Sequence, residues 1–191
     1  MIKKKNILIV MLMILLFSLT SQDYFMENTI DFSNLYYNQV SDASENFIYS
    51  PISIVILMAM AYESSNSNTA YEIRNVMNFP ESKMELAEMI SNFMKETESI
   101  KLNNYKIINT VWLQKNYKVL EGYKVNLEKY YKVSIQNVDF SKSSKSVTKK
   151  INTYVKKESN NAIKNIIEEE LSNETKLIMA NIIYFNEKWQ T

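Results

Sequence analysis

From Ile52 to Ala61 nearly every residue is apolar, on all sides of any helix the stretch could form. A helix without a polar face belongs inside a domain or a membrane. About ten residues fall well short of the roughly 20 that a bilayer crossing needs. The stretch therefore predicts a buried central helix, around which the rest of the chain must supply layers. Ser50-Pro51 opens it: serine can accept a hydrogen bond from an otherwise orphaned end amide, and proline loses nothing at the first helical position. The polar run Glu63 to Asn68 closes it, and Thr69-Ala70-Tyr71-Glu72 predicts a capping box at the start of a second helix. Ile73, Val76 and Met77 give that helix one apolar face. Upstream, Phe47-Ile48-Tyr49 has the apolar-aromatic composition of a strand.

The residue inventory excludes most enzyme chemistry. The chain of 191 residues has no histidine, no cysteine and one glycine, Gly122. Without histidine there is no Ser-His-Asp triad and no imidazole metal ligand, and without cysteine no thiol catalysis, structural zinc or disulfide. One glycine cannot build a phosphate-cradling loop. Only carboxylate or lysine chemistry remains. Glu168-Glu169-Glu170 are three adjacent acids in a polar loop, read as solvated because acid–base pairs need opposed, differently buried positions. The expectation is a non-enzyme without cofactor or metal. A formal net charge of +1 points to no nucleic-acid partner.

Met1 to Thr20 has the pattern of a secretory signal. Lys3-Lys4-Lys5 is basic, Ile7 to Phe17 is an apolar segment of about 11 residues, and Ser18 to Ser21 are mostly small, predicting cleavage after Thr20. Residues 21–191 would then form the exported domain, with no stable membrane insertion once the signal is gone. Ile30, Phe32, Leu35, Tyr36 and Val40 are read as one face of a helix. Helices are also predicted over 84–94, 120–131 and 143–158, with strands over 106–113, 132–140 and 177–185. On the 143–158 helix, Val147, Ile151, Tyr154 and Val155 line one side, while Lys149, Lys150, Lys156 and Lys157 form a solvated face. Asn181 interrupts the apolar strand Leu177 to Phe185, and a buried amide requires polar neighbours. Asn173-Glu174-Thr175 is the only N-x-[ST] sequon, so Asn173 is the candidate N-glycosylation residue on an exposed loop.

Several strings, in this order, resemble one family. They are Asn46 to Ile54 (NFIYSPISI), Asn68-Thr69-Ala70, Asn109 with Trp112, Val138-Asp139-Phe140, Ile151-Asn152-x-Tyr154-Val155, and Lys176 to Trp189 (KLIMANIIYFNEKW). Together they resemble the N-terminal half of a serpin. The resemblance implies an α+β fold in which helices pack on a large, mostly antiparallel sheet, with its first three strands present and the domain incomplete. It implies that Ser50, Ser53 and Asn181 form the polar cluster called the shutter, and that Trp189 marks the breach at the sheet's upper end. Three positions depart from the family's usual glycine, Ser64, Ser67 and Glu187, as does Asn161, although asparagine tolerates positive φ.

By resemblance, the full-length protein would be a secreted, extracellular inhibitor of serine-type endopeptidases, with a serine or cysteine protease as partner. Its reactive loop would insert beside strand three after cleavage. That loop and its specificity residue lie outside these residues. The alternative is a non-inhibitory, truncated serpin acting as a secreted binding protein or an inactive fragment. The helix near 84–94 carries more acids than lysines, so no glycosaminoglycan site is expected there.

Overall fold

The structure, a computed structural model, describes residues 4–41, 46–99 and 105–186. In order the elements are α1 (Lys4–Val40), α2 (Pro51–Ser64), α3 (Ser67–Met77), α4 (Lys83–Ser99), β1 (Tyr105–Gln114), α5 (Glu121–Tyr131), β2 (Val133–Val138), α6 (Phe140–Glu158) and β3 (Leu177–Phe185). The strands form one sheet in the order β2-β1-β3. β1 runs parallel to β2 and antiparallel to β3.

Alternation of side chains across the pleat divides the core in two. On one face Val111 and Val133, with Ile107, Ile135 and Met179 beside them, pack on α2, α4 and α5. On the other, Trp112, Val138 and Ile182 meet Phe140, Val147, Ile151 and Val155 of α6. The sheet is thus sandwiched between a helical layer and a single amphipathic helix. Ser50 caps α2 as expected, its side chain accepting from Ser53 N with Pro51 in the first turn. Val55, Ile56, Ala59, Met60 and Tyr62 of α2 are buried.

Four expectations are corrected. Phe47-Ile48-Tyr49 is not a strand: no described strand lies alongside to pair with it, and Ile48 is 98% exposed. The cap of α3 is not Thr69 but Asn66, whose side chain accepts from Ser67 N at 3.0 Å; Thr69 and Glu72 fall inside the helix. On α1 the buried stripe runs through Phe25 and Thr29 to half-buried Phe32 and Tyr36, a spacing of three and four residues. Ile30 (57% exposed), Leu35 (66%) and Val40 (43%) lie off that stripe and face solvent. Finally, β3 is not buried on all sides: with β1 as its only neighbour among the described residues, it fully buries only Ala180 and Ile182.

α1 is continuous from Lys4 through Thr20 to Val40. Among the described residues, no helix is long and apolar enough to cross a membrane.

Candidate functional site

The polar residues expected to act together lie where α2 passes beneath the sheet. Asn181 shares the pleat of β3 with Met179, so its side chain is directed to the face that packs on α2 and α4. It does not reach the serines. Its Nδ2 donates to Asn109 Oδ1 at 2.8 Å, the residue directly opposite on β1. Asn109 is buried and donates onward from its own Nδ2 to the Tyr131 carbonyl at 2.8 Å, where α5 ends. Asn181 Oδ1 is also buried, and has no hydrogen-bond partner among the described residues.

Ser50 and Ser53 form a separate pair. The Ser53 hydroxyl donates to Ser50 Oγ at 3.0 Å, and Ser53 N lies 3.4 Å from the same oxygen. Among the described residues no hydrogen bond links this pair to Asn181. The structure therefore brings together Asn181, Asn109 and the end of α5, and sets the two serines at the start of α2. Sequence reasoning noted Asn109 only as part of a pattern with Trp112. Its position opposite another asparagine appears only once the β1–β3 register is fixed. Trp189 lies outside the described residues.

The sheet's other face holds Trp112, buried, with its ring edge-on to Tyr154 at 5.6 Å and the Lys150 ammonium 5.4 Å from its centre. Of the four lysines assigned to the solvated face, Lys150 thus also covers an aromatic ring. Asn161 takes φ 66°, the left-handed conformation expected where the family usually has glycine; Asn160, at 51°, shares it. Asn152 holds the chain that follows: its Oδ1 accepts from Ile166 N and Ile167 N, and its Nδ2 donates to the Ile167 carbonyl. Glu168, Glu169 and Glu170 are exposed, and Glu170 accepts from the Ser144 hydroxyl. Asn173 sits exposed on the turn closed by Thr175 N to Ser172 O. Lys83 of α4 is turned inward, donating to the Ser65 and Glu63 carbonyls at the end of α2.

Among the described residues the shifted titratable groups are mostly buried or half-buried tyrosines. Burial pushes the Tyr131 phenol well above its ordinary range, and Glu63 and Tyr123 add to the shift. Burial also raises Tyr123, against a hydrogen bond with Ser64 that lowers it. Among the described residues no group of three acids could hold a metal ion.

Comparison with known proteins agrees with this architecture. The family model described as "Serpin (serine protease inhibitor)" matches residues 27–191. An uncharacterized serpin-like protein of Methanosarcina acetivorans is 33% identical over 148 residues, covering 76% of this chain and 35% of its own length. Human Serpin B3 is 30% identical over 165 residues, covering 76% of this chain and 42% of its own. The solved structure of the thermophilic serpin Tengpin in the latent state superposes with a TM-score of 0.77 at 25% identity, covering 87% of this chain and 45% of its own. The chain thus spans less than half the length of these relatives.

Proposed function

The chain belongs to the serpin family, and from that premise we propose that it forms the N-terminal portion of a secreted serpin that inhibits serine-type endopeptidases by strand insertion. The observation carrying this reading is the state of β3. Its nine residues pair with β1 on one side and with no described strand on the other. An open edge presents a row of unpaired backbone N–H and C=O groups that a further strand can satisfy. α2 and α6 already cover the sheet's faces, so an added strand would join a platform that is packed above and below. In the proposed mechanism the protease cleaves a reactive loop, becomes acylated, and is carried away as the cut loop joins the sheet. The Asn181 oxygen, buried and unpaired at that edge, is a polar group that arriving residues would meet.

Export is the second part of the proposal, with Met1 to Thr20 as a removable signal. Cleavage after Thr20 would leave Phe25 and Phe32, which pack α1 on the core.

A chimera tests the inhibitory reading: residues 1–191 followed by the C-terminal portion of human Serpin B3. Incubation with a panel of serine proteases should give an SDS-resistant adduct, while residues 1–191 alone should give none. A folded chimera that every protease cleaves without forming an adduct would refute the mechanism for this half-domain. Expression through a secretory pathway should yield a mature N-terminus at Ser21; an exported protein still beginning at Met1 would remove the signal-peptide assignment.

A further inference from the structure

A cleft of about 560 Å³ opens on the side of the molecule where α2 ends, lined by Glu63–Asn66, the loop Tyr117–Leu120 and Leu177 at the start of β3. Its size falls within the 300–1,000 Å³ typical of small-molecule sites. Its apolar lining comes from the loop, α5 and β3. Val119, Tyr123 and Leu177 are covered or half-covered, while Leu120 stands 82% exposed and Tyr117 47% exposed beside them. A leucine held that far into water at the mouth of a cleft is surface that a bound hydrocarbon would cover.

The polar groups are unevenly distributed. Leu120 is the N-cap residue of α5 and supplies no side-chain cap; its carbonyl accepts from Tyr123 N at 3.1 Å, which leaves the amides of Glu121 and Gly122 at the head of an 11-residue helix without a side-chain cap. The positive end of the helix dipole lies there. Lys118 is next to it in the loop and makes no ion pair among the described residues, and Lys176 follows at the start of β3, paired only with exposed Glu174 at 3.7 Å. The one carboxylate in the wall, Glu63, belongs to α2 and is occupied by Asn126 Nδ2 at 2.6 Å. Lys83 is likewise engaged with the α2 carbonyls. Glu63 keeps its charge on the α2 wall, and Glu121 in the first turn of α5 is paired with Lys124 at 3.1 Å; the ammonium groups of Lys118 and Lys176 lie on the loop side, next to the apolar lip.

We propose that this cleft binds an amphiphilic carboxylate, its head at Lys118, Lys176 and the first amides of α5, its hydrocarbon chain along Val119, Leu120 and Leu177. Charge selects the anion over the corresponding cation, and the exposed apolar lip selects a chain over a bare anion. Nothing in this inference depends on protease inhibition.

Equilibrium dialysis of the full chain against labelled dodecanoate, below its micelle concentration, tests it. Saturable binding of one molecule per chain is expected, with dodecyltrimethylammonium binding far more weakly. Leu120→Asp should weaken dodecanoate binding about tenfold, since it places a charge on the lip. Aspartate is a favourable N-cap residue, so this change should leave α5 at least as stable, and a thermal melt checks that. Lys118→Glu should also weaken binding several-fold, an independent reading through charge. Leu35→Asp, on the exposed side of α1, should bind as the parent does. Absence of saturable binding, equal affinity for the cation, or undiminished binding by folded L120D would each overturn the proposal.

Discussion

Asn181 on β3 donates its amide hydrogen to Asn109 on β1 across a directly opposed pair, at 2.8 Å. The two residues are not equivalent. Asn109 is fully engaged, accepting from Asn181 and donating to the Tyr131 carbonyl, whereas Asn181 keeps a buried oxygen unpaired. Removing one partner of a buried hydrogen bond leaves the other with its desolvation penalty, about 1–3 kcal/mol. Asn109→Leu strands both Asn181 Nδ2 and the Tyr131 carbonyl, and should cost about 2–3 kcal/mol. Asn181→Leu strands only Asn109 Oδ1 while removing an oxygen that is already unsatisfied, and should cost less than about 1 kcal/mol. Urea unfolding at equal m-values measures both. A larger loss for Asn181→Leu than for Asn109→Leu would mean that Asn181 has partners elsewhere.

The serines at the head of α2 give a second asymmetry. Ser50 Oγ receives both Ser53 N and the Ser53 hydroxyl, so it is the cap, and Ser53 contributes one donor to it. Ser50→Ala should cost about 1 kcal/mol, the usual loss for an N-cap, and Ser50→Asp should recover most of it. Ser53→Ala should cost a few tenths of a kcal/mol, roughly what loss of a single half-buried hydroxyl contact implies. Thermal melts at fixed pH order the three variants. If Ser53→Ala proved the more damaging, Ser53 would be serving another polar group, and Asn181 would be the nearest claimant in the family's arrangement.

These pairs show which parts of the molecule its sequence could express. Ser50-Pro51 was readable because a cap and its helix are neighbours in the chain. The strand Leu177–Phe185 was readable because its apolar run is uninterrupted except by Asn181. The burial stripe of α6 was readable because Val147, Ile151 and Val155 repeat at four-residue spacing. The Asn109–Asn181 bond joins positions 72 residues apart and depends on strand register, which no local pattern encodes. Phe47-Ile48-Tyr49 misled for the opposite reason: strand composition does not supply a neighbouring strand, and its aromatic rings instead pack on Tyr36 and Tyr37 of α1. On α1 the many apolar residues allowed more than one stripe, and contact with α2 and α4, not composition, selected Phe25 and Phe32.

The pH dependence of stability follows from the tyrosines and the absence of histidine. With no histidine and no cysteine, no side chain has its ordinary titration between pH 6 and 9, so stability should be nearly flat there. Tyr131 is fully buried, its hydroxyl without a partner among the described residues, and burial holds its phenol un-ionised well above the usual value. The unfolded chain ionises that phenol near pH 10, roughly the free value. Above that pH the unfolded state binds fewer protons than the folded state, so stability falls as pH rises; below it the contribution is fully present. Tyr131→Phe should therefore flatten the decline between about pH 9 and 11, roughly one unit either side of the free value. At pH 7 it should cost little or stabilise, because it removes an unpaired buried hydroxyl. Urea midpoints taken across that range, parent against variant, give the difference curve; an identical alkaline decline in both would show that Tyr131 ionises as freely folded as unfolded.

Ser67 stands at the entry to α3 with φ 48°, in the left-handed region that disfavours a β-carbon. It is one of the positions where a glycine is usual in the family's pattern, and the backbone here has kept the conformation that glycine would supply. Asn66 Oδ1 holds the turn by accepting from Ser67 N at 3.0 Å. The serine side chain is exposed and makes no hydrogen bond among the described residues, so replacing it removes no contact. Relief of the left-handed conformation is worth about 1–2 kcal/mol, and the added freedom of glycine in the unfolded chain takes back about 0.5–1 kcal/mol. Ser67→Gly should therefore stabilise the protein by about 0.5–1 kcal/mol, and Ser67→Val should destabilise it, since β-branching makes the same backbone costlier. The paired melts decide the matter: a glycine variant less stable than the parent would mean that the turn before α3 is not left-handed at this residue.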